Sequence, residues 1–291
     1  MGAILVTGAA GFVGRRLVDV LAAKGERVVA LDRVAASKPA SDGVTHVVAD
    51  LLNPASYEAT LSGVDCVIHL AAITGKARPA AFQKVNVDAT RALIGACEQA
   101  GVRRFVLMSS IAVTYTARQH YPYADSKIAA EAAARTSALE TVIVRPTMIL
   151  GPGSPIEEAL TRLARLPATP VFGDGKRRIE PVDVEDVVQL LAGVARDPDA
   201  AGAVVELGGP AAYSMKELLG KLRGKSGSPA FLHVPLGLTR SVLGAVEGPL
   251  LPVLPFTAGQ LATFANDSIA TPHPLVSRHL ASRRTSPAVA A

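Results

Sequence analysis

The sequence of 291 residues contains no tryptophan, two cysteines and few aromatic residues, which make up 4% of the chain. Cys66 and Cys97 form no CxxC pair and stand in no histidine-rich cluster, so we expect neither a disulfide framework nor a metal site. Two free, buried thiols agree with a reducing compartment, which predicts a cytoplasmic protein.

The chain also shows no segment that is typical of a leader or a membrane span. An apolar run begins at Ala3 without a basic region before it, and the apolar stretch 235–256 is interrupted by Arg240, Glu247 and four prolines. Lysine and arginine number 30 against 25 acidic residues, a formal charge of +5, but the basic residues do not cluster with aromatic ones. We therefore expect neither a membrane nor a nucleic acid as partner.

The sequence is rich in apolar residues, 49% against 19% charged, which suffices for a large core. In its first half, short apolar runs alternate with longer, partly amphipathic segments. The predicted strands are 3–7, 27–31, 44–48, 65–70, 104–108 and 141–144, and the predicted helices are 12–24, 80–100 and 123–137. This alternation predicts an α/β fold with a doubly wound parallel sheet that helices cover on both faces.

The pattern changes after residue 150, where segments become shorter and richer in proline. We expect residues 1–150 to form the sheet domain and 181–210 to return to it as a helix and a strand. Residues 151–180 and 211–279 are expected to form a small substrate-side lobe, and residues 280–291 a disordered tail.

A glycine-rich turn, Thr7-Gly8-Ala9-Ala10-Gly11-Phe12-Val13-Gly14, joins the first strand to the first helix. Gly8 and Gly11 permit a tight turn and a close approach to a pyrophosphate, and Gly14 permits close packing of the helix on the sheet. The first N–H groups of the helix, at Phe12 and Val13, point toward the phosphates. The spacing is GxxGxxG rather than GxGxxG, and its place between strand and helix predicts dinucleotide binding.

Two acidic positions follow the next strands. Asp32 ends the second strand, where a carboxylate can accept both ribose hydroxyls and so favours NAD over NADP. Arg33 comes next and would instead hold a 2′-phosphate. Asp50 and Leu51, after the third strand, are candidates for the adenine edge, and a loop aspartate that caps the following helix is an alternative for Asp50.

A second motif, Tyr123-Ala124-Asp125-Ser126-Lys127, opens a helix. Tyr123 and Lys127 share one helix face, and an ammonium beside a phenol favours the phenolate, as proton transfer at a substrate oxygen requires. Ser109 and Ser110 follow the fifth strand, at the edge where α/β proteins bind ligands. A hydroxyl there can hydrogen-bond a substrate oxygen.

Taken together, these motifs resemble the short-chain dehydrogenase/reductase superfamily, and within it the extended NAD-dependent epimerase/dehydratase family. Gly173–Asp186 also resembles atypical NAD(P)H-binding members similar to an accessory subunit of complex I. The further motifs that carry the resemblance, in the family's order over residues 1–210, are Val67-Ile68-His69-Leu70-Ala71-Ala72, Asn86, Arg145-Pro146, Gly173-Asp174-Gly175 and Pro181-Val182-Asp183-Val184-Glu185-Asp186.

The resemblance implies a Rossmann fold and a role for each matching residue. Tyr123 would be the general acid or base, Lys127 would bind the nicotinamide ribose, and Ser110 would be the hydroxyl partner, with Ser109 as the fallback. The backbone of Ala71 and Ala72 would line the cofactor. Asn86 would support the strand ends or cap a helix, and His69 is expected in the core. The resemblance also implies a homodimer through the helix that carries Tyr123.

Three departures from the family pattern bear on the substrate. The segment 110–114 has no carboxylate to protonate a leaving hydroxyl, which disfavours dehydration. Met148 stands where many nucleotide-sugar enzymes have asparagine, with Thr147 as a partial substitute. The arginine that the family places before the later helix is out of register, and the basic turn 176–178 would either hold a diphosphate or be a solvated turn. Three hypotheses follow: an NAD-dependent epimerase of a nucleotide sugar, an NAD(P)H-dependent reductase of a keto sugar or other small carbonyl compound, and a non-catalytic dinucleotide-binding protein.

Overall fold

The computed structural model describes residues 2–35, 42–224, 230–251, 253–254 and 256–290, with only the backbone at 248 and 249. Parts of the predicted lobe and the last residue of the predicted tail therefore lie outside the described residues. The strands are β1 (Ala3–Thr7), β2 (Val28–Asp32), β3 (Val44–Val48), β4 (Val64–His69), β5 (Arg104–Met108), β6 (Glu140–Pro146), β7 (Ile149–Leu150), β8 (Ala168–Phe172), β9 (Arg178–Ile179), β10 (Val182–Asp183), β11 (Val204–Leu207), β12 (Tyr213–Ser214) and β13 (Ala230–Val234).

The helices lie between these strands or follow them. They are α1 (Phe12–Ala23), α2 (Pro79–Phe82), α3 (Ala89–Gln99), α4 (Pro122–Arg135), α5 (Pro155–Ala164), α6 (Val184–Val194), α7 (Met215–Arg223), α8 (Leu236–Leu250), α9 (Ala262–Ala265), α10 (Pro274–His279) and α11 (Pro287–Ala290). A π-helical stretch, Gln83–Asp88, joins α2 to α3. Across the described ranges, no helix combines the length and the apolar character that crossing a bilayer requires.

A seven-stranded sheet forms the centre of the molecule, in the order β11-β6-β5-β4-β1-β2-β3. Every neighbouring pair in it is parallel, so the predicted doubly wound parallel sheet is confirmed. Helices α1 and α6 cover one face, and α3 and α4 cover the other. The carboxyl ends of β1, β4 and β5 meet at one edge, where the strand order reverses and such sheets bind ligands.

The remaining described strands form small pairs beside this sheet. β7 pairs with β10 and β8 with β13 in parallel, whereas β9 and β12 are antiparallel. Helices α5 and α7 pack on these strands around a core that contains Leu160, Val171 and Leu218. Because α6 packs on α1 and β11 pairs with β6, residues 184–207 belong to the main sheet and its helical layer.

The expected disordered tail is ordered over residues 280–290. The backbone N–H of Arg284 donates to Asp186 Oδ2 at 2.6 Å, and Val289 in α11 is 1% exposed against α7. The composition of the segment, rich in arginine, serine and alanine, gives no sign of these two contacts.

Candidate active site

The glycine-rich turn leaves β1 at the carboxyl edge of the sheet. Gly8 has φ +69°, and a Cβ there would stand 2.9 Å from the backbone nitrogen of Ala71. The N–H of Gly11 donates to Gly8 O at 3.0 Å and closes the turn. No side chain caps α1 at Gly11, so the first N–H groups of the helix, at Phe12 and Val13, stand open at the turn.

Gly14 lies where the first turn of α1 meets the end of β1. A Cβ at this position would lie 2.1 Å from Gly8 O and 2.8 Å from the Cα of Ala9. The glycine therefore allows α1 to approach the backbone of the turn closely, and α1 packs on the sheet beyond it.

A cleft opens beside the turn, between the ends of β2, β3 and β4. The predicted cofactor residues that line it are Gly8, Gly11, Asp32, Arg33, Asp50, Leu51, Ala71 and Ala72. Asp32 Oδ2 accepts the N–H of Ala10 at 2.9 Å, which joins the carboxylate to the glycine-rich turn. Asp50 Oδ1 accepts the N–H of Leu52 at 3.0 Å, so this carboxylate both caps its own loop and lines the cleft.

Asn86 holds the loop that carries Ala71 and Ala72. Its Oδ1 accepts the N–H of Ile73 at 2.8 Å, and its Nδ2 donates to Ile73 O and to Ser126 Oγ, both at 3.0 Å. Asn86 lies within the π-helical stretch and caps no helix. It fixes the wall of the cleft to α4, which agrees with the supporting role that the resemblance implies.

Ser110, Tyr123 and Lys127 come together at the carboxyl end of β5. Ser110 follows this strand at the start of a short helical turn, where its Oγ accepts the N–H of Ala112 at 3.2 Å. Its hydroxyl also lies close enough to the phenol of Tyr123 to lower the pKa of that group. Lys127 stands one helical turn after Tyr123 and is 4% exposed. Within the described residues its ammonium has no hydrogen-bond partner, which leaves it available to a ligand hydroxyl.

The surroundings of these groups change their acidity. Burial raises the pKa of Tyr123 to about 12, although the hydrogen bond from Ser110 acts in the opposite direction. Burial also lowers the pKa of Lys127 to about 8, opposed by the charge of Glu131. At neutral pH both groups therefore carry their protons, with Lys127 close to its titration range.

Ser109, the fallback for Ser110, is committed elsewhere. Its Oγ donates to Glu131 Oε1 at 2.6 Å. Arg145 donates to both oxygens of the same carboxylate, from Nε to Oε1 at 2.9 Å and from Nη2 to Oε2 at 2.7 Å. Glu131 was not among the predicted site residues. Its position four residues after Lys127, on the same helix face, could have indicated it. This carboxylate joins β5, α4 and β6 immediately behind the candidate site.

The positions associated with substrate phosphates make other contacts. The hydroxyl of Thr147 donates to the carbonyl of Glu180, and Met148 packs against the core of the α5–α7 region. Arg178 pairs with Glu217 at 3.3 Å and donates to Ala212 O at 2.5 Å. Thr147 and Met148 are thus directed into the protein, and Arg178 forms an exposed ion pair at the surface.

The residues present fit a bound dinucleotide. The turn has no room for side chains at Gly8 and Gly14, which leaves bare backbone for a pyrophosphate, and the open helix N-terminus supplies N–H donors. Asp32 supplies a carboxylate at the cleft, and Lys127 a buried cation that makes no hydrogen bond to the described residues. This donor set is complementary to phosphates at the turn and to ribose hydroxyls on either side of it.

Comparison with known proteins agrees with the site. The chain is 29% identical over 296 residues to a 2-alkyl-3-oxoalkanoate reductase of Stenotrophomonas maltophilia, covering 93% of this chain and 90% of the relative. It is 32% identical over 231 residues to UDP-glucose 4-epimerase of Vibrio cholerae, covering 69% of each. The solved structure of MoeE5 with UDP-glucuronic acid and NAD is 29% identical, with a TM-score of 0.67 over 96% of this chain and 100% of that one.

The family model for the NAD dependent epimerase/dehydratase family matches residues 4–208, a range that contains the glycine-rich turn, Ser110, Tyr123 and Lys127. Its members among the relatives and structural neighbours are enzymes, and the neighbours bind NAD. The chain is therefore an enzyme with NAD as its cofactor, and it belongs to the NAD dependent epimerase/dehydratase family.

Proposed function

We propose that the protein is an oxidoreductase of the extended short-chain dehydrogenase/reductase type that acts on a small carbonyl compound or the corresponding alcohol. The convergence of Ser110, Tyr123 and Lys127 beside the cleft carries this proposal. When bound, NAD supplies the donor or acceptor of hydride. The glycine-rich turn, Asp32 and Lys127 would hold it.

In this proposal the chain's own residues handle the proton. Tyr123 is protonated at neutral pH, because burial raises its pKa to about 12, so it can donate its phenolic proton to a carbonyl oxygen. Ser110 hydrogen-bonds the same oxygen and holds it against Tyr123. The Lys127 ammonium, one helical turn away, stabilises the phenolate that remains.

The surroundings favour a reductase of a small carbonyl compound. Tyr123 packs edge-on to Phe82 at 6.2 Å between ring centroids and lies 5.7 Å from the ring of Tyr121, so its immediate neighbours are aromatic. Thr147 and Arg178 have their own partners within the protein. The relative from Stenotrophomonas maltophilia, which the chain matches over most of its length, is also a reductase of an oxo compound.

A nucleotide-sugar epimerase is the second candidate. It is favoured by the relative from Vibrio cholerae and by the neighbour with UDP-glucuronic acid and NAD. Ser110, Tyr123 and Lys127 would serve this reaction equally. The two candidates differ in what stays bound. An epimerase keeps the keto intermediate and the cofactor until the hydride has been returned, whereas a reductase releases its product and its cofactor after one transfer.

Cofactor retention separates the candidates. We would denature the purified protein and assay the released NAD and NADH. An empty protein that exchanges cofactor and reduces short oxo compounds, followed as consumption of NADH, is expected for the reductase. Near-stoichiometric bound NAD, together with turnover of UDP-sugars, would overturn the reductase in favour of the epimerase.

Replacing Tyr123 by phenylalanine tests the shared chemistry. The variant loses the proton donor but keeps the ring that packs on Phe82 and Tyr121, so we expect the turnover rate to fall by about 10²- to 10⁴-fold. NAD binding, measured by calorimetry, should be unchanged. Ser109→Ala is the matched control against Ser110→Ala, since the hydroxyl of Ser109 donates to Glu131 and that of Ser110 acts on the phenol of Tyr123. Full activity in Y123F would disprove the proposed role.

We also propose that the protein is a homodimer that works in a reducing compartment such as the cytoplasm. A groove between α3 and α4 supports a helix-to-helix contact there, because the small residues Gly95, Ala132 and Ala133 line it beside Arg91, Ile94 and Glu98. Both cysteines are free and buried, which supports the reducing compartment.

A further inference from the structure

Glu131 is a buried carboxylate to which the proposed proton transfer gives no part. It is 4% exposed on the inward side of α4. Its Oε1 accepts from Ser109 Oγ at 2.6 Å and from Arg145 Nε at 2.9 Å, and its Oε2 accepts from Arg145 Nη2 at 2.7 Å. Burial raises the pKa of this carboxyl, but the hydrogen bonds from Arg145 and Ser109 outweigh burial and hold the pKa below its usual range. Glu131 therefore carries a negative charge at neutral pH, in a fixed position.

Lys127 stands on the same face of α4, one helical turn before this carboxylate, and is also 4% exposed. Side chains of a helix lean toward its N-terminus, so Glu131 leans toward the turn of Lys127, and Lys127 toward the turn of Tyr123. The end of β5 spans the same stretch of the helix. Ser109 donates to Glu131, and the next residue, Ser110, lies beside the phenol of Tyr123. Along α4, Lys127 thus lies between a fixed anion and the proposed proton donor.

The charges behind the candidate site are unbalanced without Lys127. Arg145 is shared by two carboxylates, Glu131 at 2.7 Å and Glu206 at 3.3 Å. Arg135 also reaches Glu131, at 3.4 Å, but its side chain is 44% exposed, so water screens its charge. The inner part of this cluster contains two carboxylates and one guanidinium. It therefore has an excess of negative charge, which a buried ammonium one helical turn away offsets.

The burial of Lys127 makes such an anion necessary. Burial lowers the pKa of Lys127 to about 8, and the charge of Glu131 acts in the opposite direction. Within the described residues the two groups form no direct ion pair, so the carboxylate acts on the ammonium across space. Without this charge, the burial of Lys127 would be opposed by less, and the ammonium would lose its proton closer to neutral pH.

Other ionisable groups of the elements around Lys127 are neutral, paired elsewhere or exposed. Burial raises the pKa of Tyr123 to about 12 and lowers that of His69 to about 3, so both are uncharged at neutral pH. Arg104 and Glu140 pair with each other at the amino ends of β5 and β6. The exposed charged residues of α3, of the π-helical stretch and of the first turn of α4 are Lys84, Asp88, Arg91, Glu98 and Asp125.

We propose that Glu131 is a positioning residue: its anchored carboxylate keeps the buried Lys127 ammonium charged, so that a cation stands one turn from the phenol of Tyr123. This inference rests on the proposed function, in which Lys127 holds NAD and stabilises the phenolate. A neutral amine at the same place would give the phenolate no opposite charge. Glu131 itself acts only through Lys127.

The test is a titration of Lys127 by NMR in the full-length protein, as purified and again with saturating NAD. Lysine is labelled with ¹³C at Cε, and the signal of Lys127 is identified by its loss in Lys127→Arg. We expect the native protein without NAD to titrate near pH 8, well below the roughly 10.4 of an exposed lysine. Glu131→Gln keeps the shape of the side chain and an accepting oxygen but loses the charge. Its midpoint should lie about one pH unit below the native midpoint in both states.

Glu206→Gln is the matched control, because it removes the other carboxylate of Arg145, on β11 and away from the face of Lys127. Its midpoint should equal the native one. An unchanged midpoint in E131Q would overturn the proposal, and so would a fall in E206Q as large as that in E131Q. Such a result would show that any disturbance of the cluster moves the titration.

A second variant keeps the test decisive if E131Q does not fold. Combining Glu131→Gln with Arg145→Gln leaves no unpaired charge in that buried pair. The midpoint of Lys127 should again lie below the native one, and a native midpoint in the double variant would overturn the proposal. The titration needs neither substrate nor turnover. A shifted midpoint would therefore stand even if Tyr123→Phe proved fully active, so failure of the proposed function is distinguishable from failure of this inference.

Discussion

At the scale of single residues, the surroundings of His69 predict that the folded protein loses stability in acid. Its Nδ1 lies 2.7 Å from Thr7 Oγ1 and its Nε2 2.9 Å from Thr90 Oγ1, so the imidazole joins β1, β4 and α3. Burial lowers its pKa to about 3. In the unfolded chain His69 is therefore protonated below about pH 6.5, whereas in the folded protein it stays neutral down to about pH 3. Stability should fall across this window by on the order of 1 kcal/mol per pH unit.

Urea unfolding of the native protein and of His69→Gln, at pH 7 and pH 5, measures this contribution. The variant is expected to be less stable at pH 7, because it loses contacts to both threonines. Its stability should fall less between the two pH values than that of the native protein. Equal losses in the two proteins would contradict a buried, neutral His69.

The sequence predicts part of the candidate site at this scale. Strand ends and helix spacing predict that Ser110, Tyr123 and Lys127 lie together, whereas their roles and the preference for Ser110 over Ser109 follow from the family resemblance. The structure adds a reason for that preference, because Ser109 donates to Glu131, which lies 22 residues away in sequence.

At the scale of elements, the start of α1 gives a prediction about Gly14. A Cβ would stand 2.1 Å from Gly8 O, so Gly14→Ala must displace the backbone of the turn that is proposed to hold the pyrophosphate. We expect NAD affinity to fall at least tenfold and the free energy of unfolding to fall by about 1–3 kcal/mol. Calorimetry with NAD and urea unfolding measure the two effects.

The same substitution at Gly220, within α7, is the matched control. A Cβ there would meet nothing within 4 Å, so Gly220→Ala should leave NAD binding unchanged. It should raise stability by about 0.5–1 kcal/mol, because alanine is the better helix former. NAD binding by Gly14→Ala as tight as that of the native protein would contradict the proposed role of the turn.

Elements were predictable where local pattern and tertiary role agree. Most strands of the main sheet are buried runs, with the edge strand β3 the exception. Their predicted bounds lie within a few residues of those observed, and 3–7, 44–48 and 104–108 coincide with them. The strands of the lobe are different, since β8 pairs with β13 across a long connection and β7, β9, β10 and β12 have two residues each. Such strands carry too little periodicity to be recognised, and their pairing depends on contacts distant in sequence.

At the scale of the whole molecule, the proposed homodimer can be tested without disturbing the protomer. Gly95 lies in α3 at the groove that α3 forms with α4, and a Cβ there would meet nothing within 4 Å. Gly95→Lys should therefore fold, because the added chain extends into open space and lysine favours a helix more than glycine does. In a dimer that packs through this groove, the same side chain would separate the facing helices and place a charge between them.

We expect light scattering after size exclusion to give a dimer for the native protein and a monomer for Gly95→Lys, with thermal stability measured in parallel. Gly220→Lys introduces the same residue in another helix, again where a Cβ would meet nothing within 4 Å, and should remain dimeric. A native protein that is monomeric at every concentration would exclude the dimer, and a dimeric Gly95→Lys would place the contact on another surface. Because α4 also carries Tyr123 and Lys127, the turnover of the monomeric variant would further reveal whether association steadies the helix on which the proposed chemistry depends.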